Sequence, residues 1–278
     1  GLSAPDTDEL VFSQIDVDGL ASWVAMKAAV GDEPTMTLLR VLGGSMARLA
    51  EAGSTAIRLG MPDIQMEHTA DELTTAQAYR RVGEFIPRLG VLIDAVFRHH
   101  TVSARTYFEG VVRDTTASVV CGIGFADLTG FTALSQQLSA TELSNLLVEF
   151  ASAVGEVVLS DGGRIVKFIG DEVMWVSPTP DTLARVAFDL VEHPDAQEAG
   201  LQVRAGLGYG SVLAIAGDYF GTPVNLAARL VGAAAPGQIL VSTDVRDALA
   251  DWPAIPQEPL VLKGFDTPVA AYDLHLSR

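Results

Sequence analysis

Five side chains in this sequence could do chemistry together: Asp127, Lys167, Asp171, Asn225 and Arg229. Lys167 and Asp171 share the stretch Gly163-Arg164-Ile165-Val166-Lys167-Phe168-Ile169-Gly170-Asp171-Glu172-Val173-Met174-Trp175. Two apolar runs flank Gly170-Asp171, the composition of a hairpin closed by a two-residue turn. Period two places Val166 and Phe168 on one face and Ile165, Lys167 and Ile169 on the other. A lone ammonium on an apolar strand face either reaches water from an edge strand or needs a partner, because burying it unpaired is costly. Asp127 ends another apolar run and is followed by Leu128-Thr129-Gly130-Phe131-Thr132. A carboxylate at a strand end, beside the free amides of a Gly-containing turn into a helix, suits a metal carrying a phosphate chain. The simpler reading of that Asp is a helix cap. Asn225 and Arg229 are spaced i, i+4, on one face of a helix opened by Thr222 as N-cap and Pro223 as first residue. An amide beside a guanidinium is either a solvated helix face or a donor-rich site for a phosphate or an anionic transition state.

These residues need a framework, and from Thr115 onward the pattern supplies one. Residues 117–125 are nearly continuously apolar, as expected of a buried central strand. Ser139-Ala140-Thr141-Glu142 is a capping box opening a helix with Leu143, Leu146, Leu147, Phe150, Val154, Val157 and Val158 inward. The hairpin follows, then a helix over 181–191, a strand pair over 202–208 and 211–216, and the helix bearing Asn225 and Arg229. Residues 238–242 and 259–274 supply further strands, with Lys263-Gly264 at a turn. The order predicts an α+β fold, a sheet with helices packed on one face.

Residues 1–114 read differently. Residues 11–26 and 36–52 carry apolar residues at helical spacing, separated by a break at Gly31-Asp32-Glu33-Pro34, and Gly60-Met61-Pro62-Asp63 is another break. Val82, Phe85, Ile86, Leu89, Leu92, Ile93, Val96 and Phe97 form one apolar stripe, resumed at Ala104, Phe108 and Val111. Pro87 within it implies a late start or a kink. Such a helix is a natural connector to a second domain. Met26, Met36, Met46, Met61 and Met66 lie in this part, either as gap-filling core or as an adaptable pocket for a lipid-like effector. His99-His100 is either a solvated pair or a reporter of pH.

The 278 residues are enough for two modest domains, and 49% hydrophobic residues are enough to build their cores. A net charge of −17 argues against a nucleic-acid polymer or an anionic membrane as partner, since both select basic surfaces. A small anion held by local donors and metal is compatible with it. Cys121 is the only cysteine, which excludes an intrachain disulfide and points to a reducing, cytoplasmic setting. No run of about 18 apolar residues and no signal peptide is read. The chain begins at Gly1 rather than Met, so the helical part is expected to be incomplete at its start.

Phe125-Ala126-Asp127-Leu128-Thr129-Gly130-Phe131-Thr132, Lys167-Phe168-Ile169-Gly170-Asp171 and Gly217-Asp218-Tyr219-Phe220-Gly221 with Val224-Asn225-Leu226-Ala227-Ala228-Arg229 together resemble the class III adenylyl cyclase catalytic domain. The resemblance covers about residues 115–275 and implies a ferredoxin-like catalytic fold over 115–278. It implies that Asp127 and Asp171 hold two divalent metals (Mg or Mn) with the Leu128 carbonyl, and that Thr129, Gly130, Phe131 and Thr132 line the substrate. It implies that Lys167 and Asp218 read adenine, Asn225 orients the ribose, Arg229 stabilises the transition state and Lys263 holds the terminal phosphates. The implied substrate is ATP, and the product cyclic AMP with pyrophosphate. In this family each site lies between the chains of a head-to-tail homodimer, which lets Lys167 and Asp171, on one hairpin, serve different sites. The N-terminal part resembles the helical regulatory regions of some actinobacterial members, implying control of how two catalytic domains dock. Guanylyl cyclases of the family carry Glu and Cys where this chain has Lys167 and Asp218. A degenerate, nucleotide-binding dimerisation module is the alternative of another class; such modules lose a metal Asp or the Asn/Arg pair, and this chain has both.

Overall fold

The computed structural model describes residues 12–60, 72–109, 118–194, 196 and 200–276. Met61, Pro62, Asp63, Met66 and Val111, the expected boundary at 114/115, and the side chains of Val82, Ala104 and Phe108 lie outside the described residues. The chain divides into two compact units, Gly1–Ser103 and Ala104–Arg278.

In the first unit, helix α1 (Gln14–Val30) stops at Gly31, whose φ of 96° takes the chain out of helical conformation, and α2 (Asp32–Gly60) begins immediately. Pro34 lies in the first turn of α2, where its missing N–H costs no hydrogen bond. Helix α3 (Glu72–Glu109) is continuous through Pro87, so of the two expectations there, a late start or a kink, the late start is not observed. Its apolar stripe is amphipathic as expected but largely exposed among the described residues: Ile86 is 68% and Phe97 62% exposed. Met46, Leu49, Leu89, Ile93, Val96 and His100 line an apolar groove of about 310 Å³ between α2 and α3.

The second unit is built on one mixed sheet. Its core is strand β1 (Ser118–Thr129), the short helix α4 (Phe131–Ser135), helix α5 (Ala140–Ser160), the hairpin β2 (Arg164–Ile169) and β3 (Glu172–Ser177), helix α6 (Pro180–Val191) and strand β4 (Gln202–Ile215). Strand order β2-β3-β1-β4, antiparallel throughout, is the ferredoxin-like arrangement. Strand β5 (Asp218–Phe220) folds back on β4, and helix α7 (Thr222–Ala233) follows it. Strand β6 (Ile239–Ser242), helix α8 (Thr243–Ala248), β7 (Ala254–Pro256) and β8 (Ala271–Leu274) extend the sheet in the order β4-β6-β8-β7.

Three local readings change. The expected strand pair over 202–216 is one continuous strand, because β1 pairs with β4 from Ser118↔Leu213 to Thr129↔Gln202. The chain turns later, at Ala216-Gly217, both at positive φ, the pattern of a type I′ hairpin. Helix α7 is capped by Gly221, with Thr222 already helical. The helices are not confined to one face: α5 and α6 cover Ala126, Leu128, Val173 and Trp175, while α7 packs through Ala227 and Val231 against Cys121, Ile123 and Phe125 on the other. The capping box is as read, with Ser139 Oγ accepting from the Glu142 amide at 3.3 Å and the Glu142 carboxylate accepting from the Ser139 amide at 2.8 Å. Helix α5 is long and apolar enough to cross a membrane by composition, but buries Val154, Val157 and Val158 in the core.

Contact between α7 and β4 depends on glycine. A Cβ on Gly206 would lie 2.3 Å from the Val231 nitrogen and 2.4 Å from the Ala227 oxygen. Backbone cannot yield as a side-chain tip can, so Gly206→Ala is expected to cost about 3 kcal/mol. Chemical denaturation reads this directly, and an unchanged midpoint would show that α7 can lift off the sheet without penalty.

Cys121 lies fully buried in the core under α7, and burial pushes its thiol up to about 12. The native thiol is therefore expected to resist alkylation at pH 8 and to react once the chain is unfolded. Its folded pKa is above the unfolded value of about 8.5, so its stability contribution is complete below that value and is lost as pH rises toward 12. Rapid native-state labelling at pH 8 would contradict this.

Candidate active site

The hairpin turn is as read: Ile169 pairs with Glu172 across Gly170-Asp171, with Gly170 at φ 68°. The face assignment is not. A β-bulge between Ile165 and Lys167 leaves Val166 as the extra residue, so Ile165 pairs with Trp175 but Lys167 pairs with Met174. Ile165 packs toward α5 and α6 and Val166 toward the α7 face, while Phe168 meets Phe150 edge-on at 6.5 Å. Lys167 therefore shares the α7 face with Met174 rather than the face of Ile165. There it forms an ion pair with Asp218, the first residue of β5. The two side chains are 40% and 30% exposed, so the pair is reachable from solvent. Next to it, Arg164 donates to the Tyr219 hydroxyl at 2.7 Å, a second tie between β2 and β5, which are not sheet neighbours.

A second cluster lies on the same face around Asp127, two residues along β1 from Phe125, which is level with Lys167 across β3. Asp127 is inside the strand, not beyond it, and pairs in register with Glu172 on one side and Arg204 on the other. It is only 15% exposed. Arg204 donates to Asp127 Oδ2 from Nε at 2.9 Å and from Nη2 at 2.5 Å. Asp171 reaches the same place from the hairpin tip. Burial, with the neighbouring Asp127 charge and a hydrogen bond to it, pushes Asp171 up to about 6. Burial, then the charges of Asp127 and Asp171, push Glu172 up to about 7. Carboxylates this crowded need a cation, and Arg204 supplies one positive charge.

Among the described residues no group of three or more His, Cys, Asp or Glu side chains is arranged to hold a metal. The pair Asp127 and Asp171 nevertheless fits a divalent ion that shares its shell with a nucleotide, since magnesium is bound through one or two carboxylates plus substrate phosphates. Thr129 Oγ1, two residues along β1 on the same face, is buried with no hydrogen-bond partner. Gly130, at φ 80°, turns the chain into α4, whose first amides, at Phe131 and Thr132, have no intrahelical acceptor.

Asn225 and Arg229 both lie on the solvent face of α7. Arg229 Nε donates to the Lys263 carbonyl at 3.2 Å, bringing Lys263, exposed at its turn, to the same edge. Among the described residues no hydrogen bond or ion pair joins Lys167, Asp218, Asn225 or Arg229 to Asp127 or Asp171. In one chain, then, the carboxylates of Asp127 and Asp171 and the side chains of Lys167, Asp218, Asn225 and Arg229 form two groups that are not bonded to each other among the described residues.

Sequence reasoning passed over Arg204 and Glu172. Arg204 carries the signal that singled out Lys167, a lone charge in an apolar strand, but its partner is 77 residues away and only the sheet register joins them.

Residues 114–275 match the family described as Adenylate and Guanylate cyclase catalytic domain. An uncharacterized protein of Mycobacterium tuberculosis (strain ATCC 25618 / H37Rv) is 64% identical over 275 residues, covering 99% of this chain and 73% of its own. A pH-sensitive adenylate cyclase of M. tuberculosis (strain CDC 1551 / Oshkosh) is 32% identical over 256 residues, 89% of this chain and 63% of its own. Among solved structures, the adenylyl cyclase CyaB from P. aeruginosa superposes with a TM-score of 0.54 at 26% identity, covering 58% of this chain and 96% of its own.

Proposed function

We propose an adenylyl cyclase: the chain belongs to the adenylate and guanylate cyclase catalytic-domain family, and its base-reading pair suits ATP. The observation that carries this is the Lys167–Asp218 ion pair, brought together from 51 residues apart by the bulge in β2. Adenine presents N1 as an acceptor and its 6-amino group as a donor. An ammonium and a carboxylate side by side offer the complementary donor and acceptor. Guanine has the opposite pattern at those atoms, and a buried polar mismatch is what rejects a wrong base.

In this reading Asp127 and Asp171, with the Leu128 carbonyl, hold the divalent ions, Mg or Mn. When bound, these lower the pKa of the ribose 3′-hydroxyl and neutralise charge on the leaving group. The 3′-hydroxyl gives its proton to water, its oxygen attacks the α-phosphorus in line, the bond from that phosphorus to the oxygen bridging to the β-phosphate breaks, and pyrophosphate leaves. Thr129, Gly130, Phe131 and Thr132 cradle the phosphates with a free hydroxyl and free amides. Asn225 orients the ribose, and Arg229 stabilises charge on the pentavalent phosphorus. Lys263, held next to Arg229, reaches the terminal phosphates.

That the two groups are not bonded to each other in one chain supports reading them as half-sites, in a homodimer in which the carboxylates of one chain face Lys167, Asp218, Asn225 and Arg229 of the other. The exposed part of the α3 stripe supports a role for residues 1–114 in controlling how the catalytic domains dock. The lone buried thiol of Cys121 suits a reducing, cytoplasmic setting.

Incubating the purified chain with Mn or Mg and either ATP or GTP tests the function. Cyclic AMP should form much faster than cyclic GMP, and the reverse preference, or no cyclic nucleotide at all, would sink the reading. The double variant Lys167→Glu with Asp218→Cys should lose most of the preference for ATP, by about tenfold or more in the ratio of kcat/KM values. If that variant keeps the parent's ratio, these two residues do not read the base.

A further inference from the structure

Residues three apart on a regular strand point to opposite faces. Arg164 and Lys167 share one face because the bulge at Val166 takes up a residue: Arg164 pairs with Val176 and Lys167 with Met174, both buried on the α7 side of the sheet. From there each reaches β5. Lys167 pairs with Asp218, and Arg164 Nη2 donates to the Tyr219 hydroxyl at 2.7 Å while its guanidinium lies 5.8 Å from the centre of that ring. Asp218 is held from two sides: Oδ2 accepts from Lys167, and Oδ1 accepts from the Tyr219 amide at 2.9 Å. No backbone ladder joins β2 to β5, and β5 is a short strand, paired with β4 only from Leu213↔Phe220 to Ile215↔Asp218. The spacing of β2 and β5 is therefore left to side chains: the apolar cluster that holds Val166 and Tyr219, and these two polar ties. Tyr219 is 2% exposed, so water does not readily replace a hydrogen bond lost there.

We infer that Arg164 and Tyr219 are positioning residues that set the spacing of the Lys167–Asp218 pair, and through it the choice between adenine and guanine. This rests on the reading of that pair as the base reader. Neither Arg164 nor the Tyr219 side chain touches the base. Their bond fixes β5 against β2, the Tyr219 amide fixes the Asp218 carboxylate, and the carboxylate meets the ammonium. Selectivity demands that donor and acceptor stand at one separation, because N1 and the 6-amino group are neighbours on one ring edge. A β5 free to shift lets carboxylate and ammonium turn independently, and a pair that turns takes guanine's reversed pattern with less penalty. The base is held alike before and during cyclisation, so the loss falls on KM rather than kcat.

Cyclic nucleotide formation by the full chain from ATP and from GTP, in saturating Mn²⁺, tests this. Tyr219→Phe removes one oxygen and no charge. It should lower the ATP-to-GTP ratio of kcat/KM values about fivefold, with KM for ATP raised and kcat near the parent's. Arg164→Met should do the same, and Arg164→Lys, which can still donate to the hydroxyl, should restore most of the ratio. If Lys167→Glu with Asp218→Cys keeps the parent's ratio, the base-reading assignment fails and this inference falls with it. If that double variant loses the preference while Tyr219→Phe and Arg164→Met keep it, the base reading stands and the positioning role is overturned, whatever either variant does to the melting temperature. Where Tyr219→Phe fails to fold, the two Arg164 variants decide: equal ratios in Arg164→Met and Arg164→Lys would overturn the proposal.

Discussion

Asp171→Ala is expected to abolish cyclic nucleotide formation while leaving the fold intact. Asp171 occupies the second position of a two-residue turn whose positive φ falls on Gly170, so alanine is tolerated there. Its side chain fills no core position, and its removal leaves no cavity. What is lost is half of the carboxylate pair. Without it the ions that carry the leaving-group charge have one protein carboxylate, and the loss should be several kcal/mol of transition-state stabilisation, about a thousandfold or more in kcat/KM. The metal-free stability should move the other way. The folded pKa of Asp171, about 6, is above its unfolded value of about 4. Its favourable contribution is therefore present in full below that unfolded value and is lost as pH rises through 6. At pH 7.5, with no metal, the variant should melt no lower than the parent. Activity in saturating Mn²⁺ and thermal melting in chelator check the two halves. A folded variant with near-parental activity would remove Asp171 from the mechanism.

The parts of the site legible in the sequence were those with local signatures. Gly170-Asp171 between apolar runs gave the hairpin, and Ser139 with Glu142 gave the start of α5. The i, i+4 spacing of Asn225 and Arg229 gave their shared helix face. The rest depends on register. No glycine or proline marks the bulge at Val166, so period-two counting put Lys167 on the wrong face and named no partner for it; Asp218 was named only through the family resemblance. The strand pair expected over 202–208 and 211–216 is one continuous strand, in which Gly206, Gly208 and Gly210 mark the close crossing of α7. Periodicity predicted that the stripe of α3 is apolar; it has no means of saying what covers it. The bond between Arg204 and Asp127 has no local signal at all. It exists because β1 and β4 pair antiparallel in one particular register.

The half-sites bear most directly on the central claim, that Asp127 of one chain works with Lys167 of another. Asp127→Ala and Lys167→Ala homodimers should each be nearly inactive, because both sites in each lack one essential group. Mixed under conditions that allow subunit exchange, random pairing makes about half of the dimers mixed, and two-fold symmetry gives each mixed dimer two unlike sites. One site receives both lesions; the other takes an intact Asp127 from one chain and an intact Lys167 from its partner. Activity of the mixture should rise from near zero to about a quarter of the parent's if sites act independently. No recovery at any mixing ratio, with mixed dimers verified by an affinity tag on one variant, would mean that Asp127 and Lys167 serve a site within one chain.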